Sequence, residues 1–103
     1  MKELHDNNYK DILAQPGLLL IDFGATWCGP CKKVHPILET LSKEMEAVAF
    51  FNCDVGNAAE VAAHFNIFSV PTVVIIKDGE EKSRLIGLRN HKQYRAELDK
   101  HLA

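Results

Sequence analysis

The sequence predicts an α/β fold, a mixed central β-sheet of four to five strands flanked by about four helices. Three observations carry this. Short apolar segments of strand length, residues 18–23, 47–51 and 72–76, alternate with stretches whose apolar residues recur every three to four positions. An Asp78-Gly79 pair separates residues 72–76 from residues 82–86 and marks a tight hairpin, hence an antiparallel edge. The first half runs strand, helix, strand, so those two strands are expected to lie parallel.

Taken in chain order, residues 1–5 are a candidate short edge strand. Tyr9, Ile12 and Leu13 share one face of a helix, with Asp6 or Asn7 as its expected N-cap. Residues 18–23 form an apolar run bounded by Pro16-Gly17 and Gly24, the pattern of a buried strand. From Cys31 onward Val34, Ile37, Leu38, Leu41 and Met45 keep a helical period; Pro36 should kink that helix without ending it, because the period continues past it. Residues 57–65 predict a short helix with Val61 and Phe65 on one side. Asn90 caps a last helix in which Tyr94, Leu98 and Leu102, four residues apart, face the core.

The 103 residues fit a single domain, residues 1–103, with an ordinary globular composition. Twelve Lys and Arg against fourteen Asp and Glu give a formal charge of −2, which offers no basic field to a nucleic acid. No apolar run approaches membrane-spanning length, and the first residues lack a signal-peptide core, so the expected location is cytoplasmic and the default state a monomer. In that compartment thiols stay reduced, and three cysteines are not a disulfide framework. Neither a GxGxxG pattern nor a P-loop is present, and no cofactor is expected.

The chemistry concentrates in Trp27-Cys28-Gly29-Pro30-Cys31, between the strand at 18–23 and the long helix. Two intervening residues let the sulfurs approach bonding distance when the pair sits at a helix start. Helix-terminal N–H groups and the positive end of the dipole then stabilise a thiolate at Cys28. Pro30 suits the first turn, where its missing N–H costs little, and Lys32 reads as a solvated surface lysine. A CxxC is also half of a zinc site. A structural zinc needs four ligands, and the only completers are Cys53 and histidines, of which His35 alone shares the helical face of Cys31. A lone CxxC between strand and helix is the pattern of a redox dithiol.

Residues 21–31, Ile-Asp-Phe-Gly-Ala-Thr-Trp-Cys-Gly-Pro-Cys, closely resemble the active-site segment of thioredoxins. The likeness continues through Lys32, Pro36, Val70-Pro71-Thr72, Lys77-Asp78-Gly79 and Ile86-Gly87. The resemblance implies the thioredoxin fold and a protein-disulfide reductase: Cys28 attacks a target disulfide, and Cys31, expected to be the more buried, resolves the mixed disulfide. It implies that Asp22 lies beneath the dithiol and relays the proton of Cys31, and that the Val70–Pro71 bond is cis. Trp27, Gly29, Pro30, Val70, Pro71, Gly87 and Leu88 are then expected to form the substrate-docking face. The implied partners are disulfide-containing proteins and a thioredoxin reductase. Independently of the family, an ionised Asp22 in an apolar strand is costly to bury, so its pKa should rise. The Gly-Pro dipeptide adds no extra donor to the thiolate, which favours a reductant over an oxidant.

The chain departs from the family at two places beside this site. Gly24 stands where many thioredoxins have tryptophan, which either opens a pocket or lets another side chain fill it; Trp27 becomes the sole tryptophan. Phe50 stands where many members have a lysine near the buried aspartate, so Asp22 is expected to titrate higher. Cys53 reads as a small, semi-buried hydrophobe, with oxidation near the docking face as the other reading. Two further readings of the whole remain open: a scaffold that docks without using its dithiol, and an oxidase or isomerase.

Overall fold

The structure is a computed structural model that describes residues 1–102. In chain order it contains β1 (Lys2–Glu3), α1 (Tyr9–Leu13), β2 (Leu18–Gly24), α2 (Cys31–Glu44), β3 (Val48–Asp54), α3 (Ala59–His64), β4 (Thr72–Lys77), β5 (Glu80–Ile86) and α4 (His91–Leu102). The five strands form one sheet in the order β1-β3-β2-β4-β5. β1 and β2 both run parallel to β3, whereas β4 runs antiparallel to β2 and β5 antiparallel to β4. The predicted mixed sheet and four helices are therefore present.

Both faces of the sheet are covered, which is why its central strands read as continuous apolar runs. On one face Leu18, Leu20, Val73 and Ile75 pack with Val34, Leu38 and Leu41 of α2 and Tyr94 and Leu98 of α4. On the other, Leu19, Ile21, Phe23, Val74 and Ile76 pack with Tyr9 of α1 and Val61 and Phe65 around α3. Side chains alternate along a strand, so Asp22 falls on the same face as Leu18 and Leu20, beneath α2. Its register partners are Asn52 on β3 and Val73 on β4. The expectation that Asp22 is buried is met: it is 4% exposed.

The hairpin turn also steadies β2. Asp78 (φ 51°) and Gly79 (φ 85°) adopt the left-handed conformation that a two-residue hairpin requires. Asp78 Oδ1 accepts the Gly17 N–H at 2.8 Å, and the Asp78 N–H donates to the Gly17 carbonyl at 3.0 Å, tying the turn to the entrance of β2.

Several details differ from the sequence reading. Asn8, not Asp6 or Asn7, precedes α1, and its side chain accepts from the His5 N–H instead of capping. Asp6 serves a different helix, its Oδ1 accepting the Val61 N–H in the first turn of α3 at 3.0 Å. That helix begins at Ala59, later than residue 57, because Asn57 is engaged with Asp54 in the preceding turn. Leu102 is 42% exposed and lies off the core, although Tyr94 and Leu98 are fully buried.

Asn90 caps α4 as expected, and Gln93 completes the box: Asn90 Oδ1 accepts the Gln93 N–H at 2.8 Å and Gln93 Oε1 accepts the Asn90 N–H at 2.9 Å. Asn90→Ala is expected to lower stability by about 1 kcal/mol. Chemical denaturation should show a lower midpoint with an unchanged slope.

Candidate active site

The site is assembled where β2 ends and α2 begins. After Gly24 the chain turns through residues 25–30, with the Cys28 N–H donating to the Ala25 carbonyl at 3.2 Å. Pro30 adopts helical angles (φ −59°, ψ −31°) at the N-cap of α2, where no N–H is missed. Cys28 thus lies just outside the helix and Cys31 at its first residue. They are joined by a disulfide with Cα atoms 5.4 Å apart. The otherwise unpaired Cys31 N–H points at Cys28 Sγ, 3.2 Å away. A donor and the positive helix end are therefore aimed at the sulfur expected to carry the negative charge.

The two cysteines do not differ in the direction expected. Both are buried in the disulfide form, Cys28 at 4% and Cys31 at 8% exposure. The reason is Gly24. With no side chain there, Cys31 borders an open cleft of about 490 Å³ that it shares with Asp22, His35, Pro36 and Cys53. A Cβ built on Gly24 would sit 3.4 Å from Cys31 Cβ and 3.5 Å from its Sγ. Of the two outcomes posed by the missing tryptophan, the opened pocket is the one found.

Asp22 is the buried charge of the site. Desolvation pushes its carboxyl from an ordinary 3.8 up to about 6, and the nearby His35 pulls in the opposite direction. Asp22 Oδ2 faces His35 Nδ1 at 3.5 Å, whereas Oδ1 is buried with no hydrogen-bond partner among the described residues. Phe50, at the position of the missing lysine, is buried in the core on that face and supplies no charge. His35 is the neighbour of Asp22 that the sequence reading missed. Its position four residues after Cys31 was visible, but only as a metal ligand; nothing local in the sequence paired it with Asp22. Among the described residues, no group of His, Cys, Asp and Glu is placed to hold a metal ion.

Cys53 is buried and free, in the core cluster around Phe23. Burial first, then the carboxylates of Asp54, Asp6, Glu3 and Asp22, push its thiol up to about 12. It stays a protonated packing group, the first of its two readings.

The remaining expected residues differ in exposure. Trp27 is 75% exposed, Gly29 and Pro30 are exposed, and Leu88 is exposed beside Gly87. The Val70–Pro71 bond is cis, Val70 is half-buried and Pro71 buried. The Gly87 N–H donates to the Pro71 carbonyl at 2.9 Å, and Gly87 has φ 90° with open space where a side chain would be. Phe68, 94% exposed, shares a shallow depression with Trp27 and Val70. It was not anticipated, since an apolar residue in a loop gives no periodic signal.

The thioredoxin family model matches residues 1–100. The chain belongs to the thioredoxin family. It is 39% identical over 98 residues to a thioredoxin of Staphylococcus haemolyticus, covering 94% of this chain and 93% of that one. A thioredoxin of Chlamydia trachomatis is 38% identical over 94 residues, 91% of each chain. Among solved structures, Fasciola hepatica thioredoxin superposes with a TM-score of 0.90 at 35% identity, covering 98% of this chain and 99% of that one. Oxidised mitochondrial thioredoxin 3 of Saccharomyces cerevisiae gives 0.88 at 32% identity, with 97% and 94% covered. The thioredoxin fold is thus shown, and with it a protein-disulfide oxidoreductase that works by dithiol–disulfide exchange at Cys28 and Cys31. Membership implies protein disulfides as targets and a reductase to restore the dithiol. Among the described residues, no helix is long and apolar enough to cross a membrane.

The buried carboxylate makes stability depend on pH. Because the folded pKa lies above the unfolded one, the native state binds more protons between about pH 4 and 6. Stability from this group is full below about pH 4 and lost as pH rises through about 6. Asp22→Asn is therefore expected to be more stable than the wild type at pH 7 by about 2–3 kcal/mol, with the gain vanishing near pH 4. Thermal unfolding followed across that range checks both the sign and the crossover.

Proposed function

We propose that Cys28 is the attacking thiolate, Cys31 the resolving thiol, and Asp22 the group that takes the Cys31 proton, in a reductant acting on protein disulfides. The observation that carries the assignment is the Cys31 N–H directed at Cys28 Sγ at the start of α2, which favours charge on that sulfur alone. The Cys28 thiolate attacks one sulfur of the target. A mixed disulfide forms, and the other target sulfur leaves as a thiolate and is protonated by solvent. Asp22 then removes the proton of Cys31, directly or through one water. The Cys31 thiolate displaces the target from Cys28, closing the ring and transferring two electrons to the target.

The docking face in this reading comprises Trp27, Gly29, Pro30, Val70, Pro71, Gly87 and Leu88, to which we add Phe68. Support comes from the exposed apolar side chains of Trp27 and Phe68, which share one depression with Val70. The unhindered backbone at Gly87 leaves room for a target chain. The chain acts as one domain, residues 1–103, and as a monomer in the cytoplasm, where a dithiol reductant meets a reducing pool. Its recycling partner is a thioredoxin reductase. The net charge of −2 speaks against nucleic acid as a partner.

Insulin reduction tests the reading. The wild type is expected to turn over, Cys28→Ser to be inactive, and Cys31→Ser to accumulate mixed disulfides with its targets. Turnover by Cys28→Ser would overturn the assignment. Phe68→Ser is expected to lower kcat/KM for a protein disulfide by roughly fivefold, through lost apolar contact, and to leave reduction of a small aromatic disulfide unchanged. Steady-state kinetics on both substrates measures the difference.

A further inference from the structure

Asp22 has two oxygens in different surroundings, and the difference points outward along α2. Oδ1 is buried and unpartnered, whereas Oδ2 faces His35 Nδ1 at 3.5 Å. His35 stands one helical turn beyond Cys31 with its imidazole exposed, so it spans from the buried carboxyl to solvent. Its other nitrogen, Nε2, lies 3.6 Å from Glu39 Oε1 at the surface. The cleft opened by Gly24 is bordered by Cys31, Asp22 and His35 together.

We propose that His35 is a positioning residue for proton transfer, the group through which Asp22 returns to solvent the proton it takes from Cys31. This rests on the reading of Asp22 given above. The Cys31 S–H bond breaks and its proton passes to the Asp22 carboxylate. The resulting acid gives a proton from Oδ2 to His35 Nδ1, and the imidazole releases one from Nε2 to water. Asp22 is then ionised again and Cys31 is left as the attacking thiolate, with no electrons moved in these steps. The required tautomer carries its proton on Nε2, the nitrogen facing Glu39. A histidine suits the role because imidazole exchanges protons near neutral pH. While protonated it also holds the carboxylate ionised against burial. The other titratable or charged groups around the pair include Lys32 and Glu39 on α2, Tyr94 on α4, Cys53 and Asp54 on β3, Glu3 on β1, and the Met1 α-ammonium, which donates to the same Glu39 Oε1 at 2.9 Å.

The test compares wild type, His35→Gln, Asp22→Asn and the double variant. Single-turnover reduction of a protein disulfide is followed by Trp27 emission between pH 5 and 9, with the Asp22 carboxyl titrated by NMR in parallel. His35→Gln is expected to move the Asp22 midpoint up by about one pH unit and to slow reduction several-fold near pH 7, the loss shrinking toward pH 9. The double variant should match Asp22→Asn, since a relay without its carboxyl has nothing to carry. An unmoved Asp22 midpoint in His35→Gln overturns the proposal. So does a slowing that is equal at every pH and multiplies with that of Asp22→Asn. If Asp22→Asn alters the profile but His35→Gln does not, only the role of His35 falls. If Asp22→Asn keeps the wild-type profile, the Asp22 reading falls and takes this inference with it.

Discussion

The site depends on one packing constraint: the first turn of α2 lies directly over the end of β2. Helix geometry leaves the first N–H groups of α2 unpaired, and strand alternation turns Asp22 toward the same helix. The sulfur pair sits at this junction, with a donor directed at Cys28 and a carboxyl on the side of Cys31. Neither feature is available from the loop alone. A CxxC detached from these two elements would have neither the directed backbone donor nor the neighbouring carboxyl.

The two charges make opposite demands on the fold. In the proposed mechanism, a thiolate at Cys28 would be stabilised by groups that α2 otherwise leaves unsatisfied, and so would add little cost. The carboxylate at Asp22 is held where water cannot fully reach it, and burial raises its pKa toward neutrality. That places its proton exchange in the range where a base for a thiol is useful. In the proposed mechanism, the fold carries an unfavourable buried group at the one place where the chemistry would use it.

Much of this was legible in the sequence, for identifiable reasons. Apolar alternation and helical period located the sheet and helices because both faces of the sheet are buried. The charge of Asp22 stood out against an apolar strand, and the Asn90 cap follows from local chemistry within one turn. The cis Val70–Pro71 bond was anticipated only through the family resemblance. What was missed is long-range or two-sided. Asp6 bonds to Val61 across 55 residues, a partner that only the tertiary fold supplies. The expected contrast in cysteine burial failed because the loss of a side chain at Gly24 exposes Cys31 to the cleft. His35 was legible only as a possible metal ligand because its partner lies on another element, brought beneath α2 by packing of the sheet.

The weight of the account falls on how modestly the Cys28 sulfur is stabilised, by one backbone donor and a helix end with only Gly29 and Pro30 between the cysteines. Redox equilibration with dithiothreitol and glutathione buffers, read through the single Trp27, measures that balance directly. The account predicts a potential at or below about −230 mV, toward the roughly −270 mV typical of thioredoxin-type reductants. A value near about −120 mV, the range of strong dithiol oxidants, would contradict it.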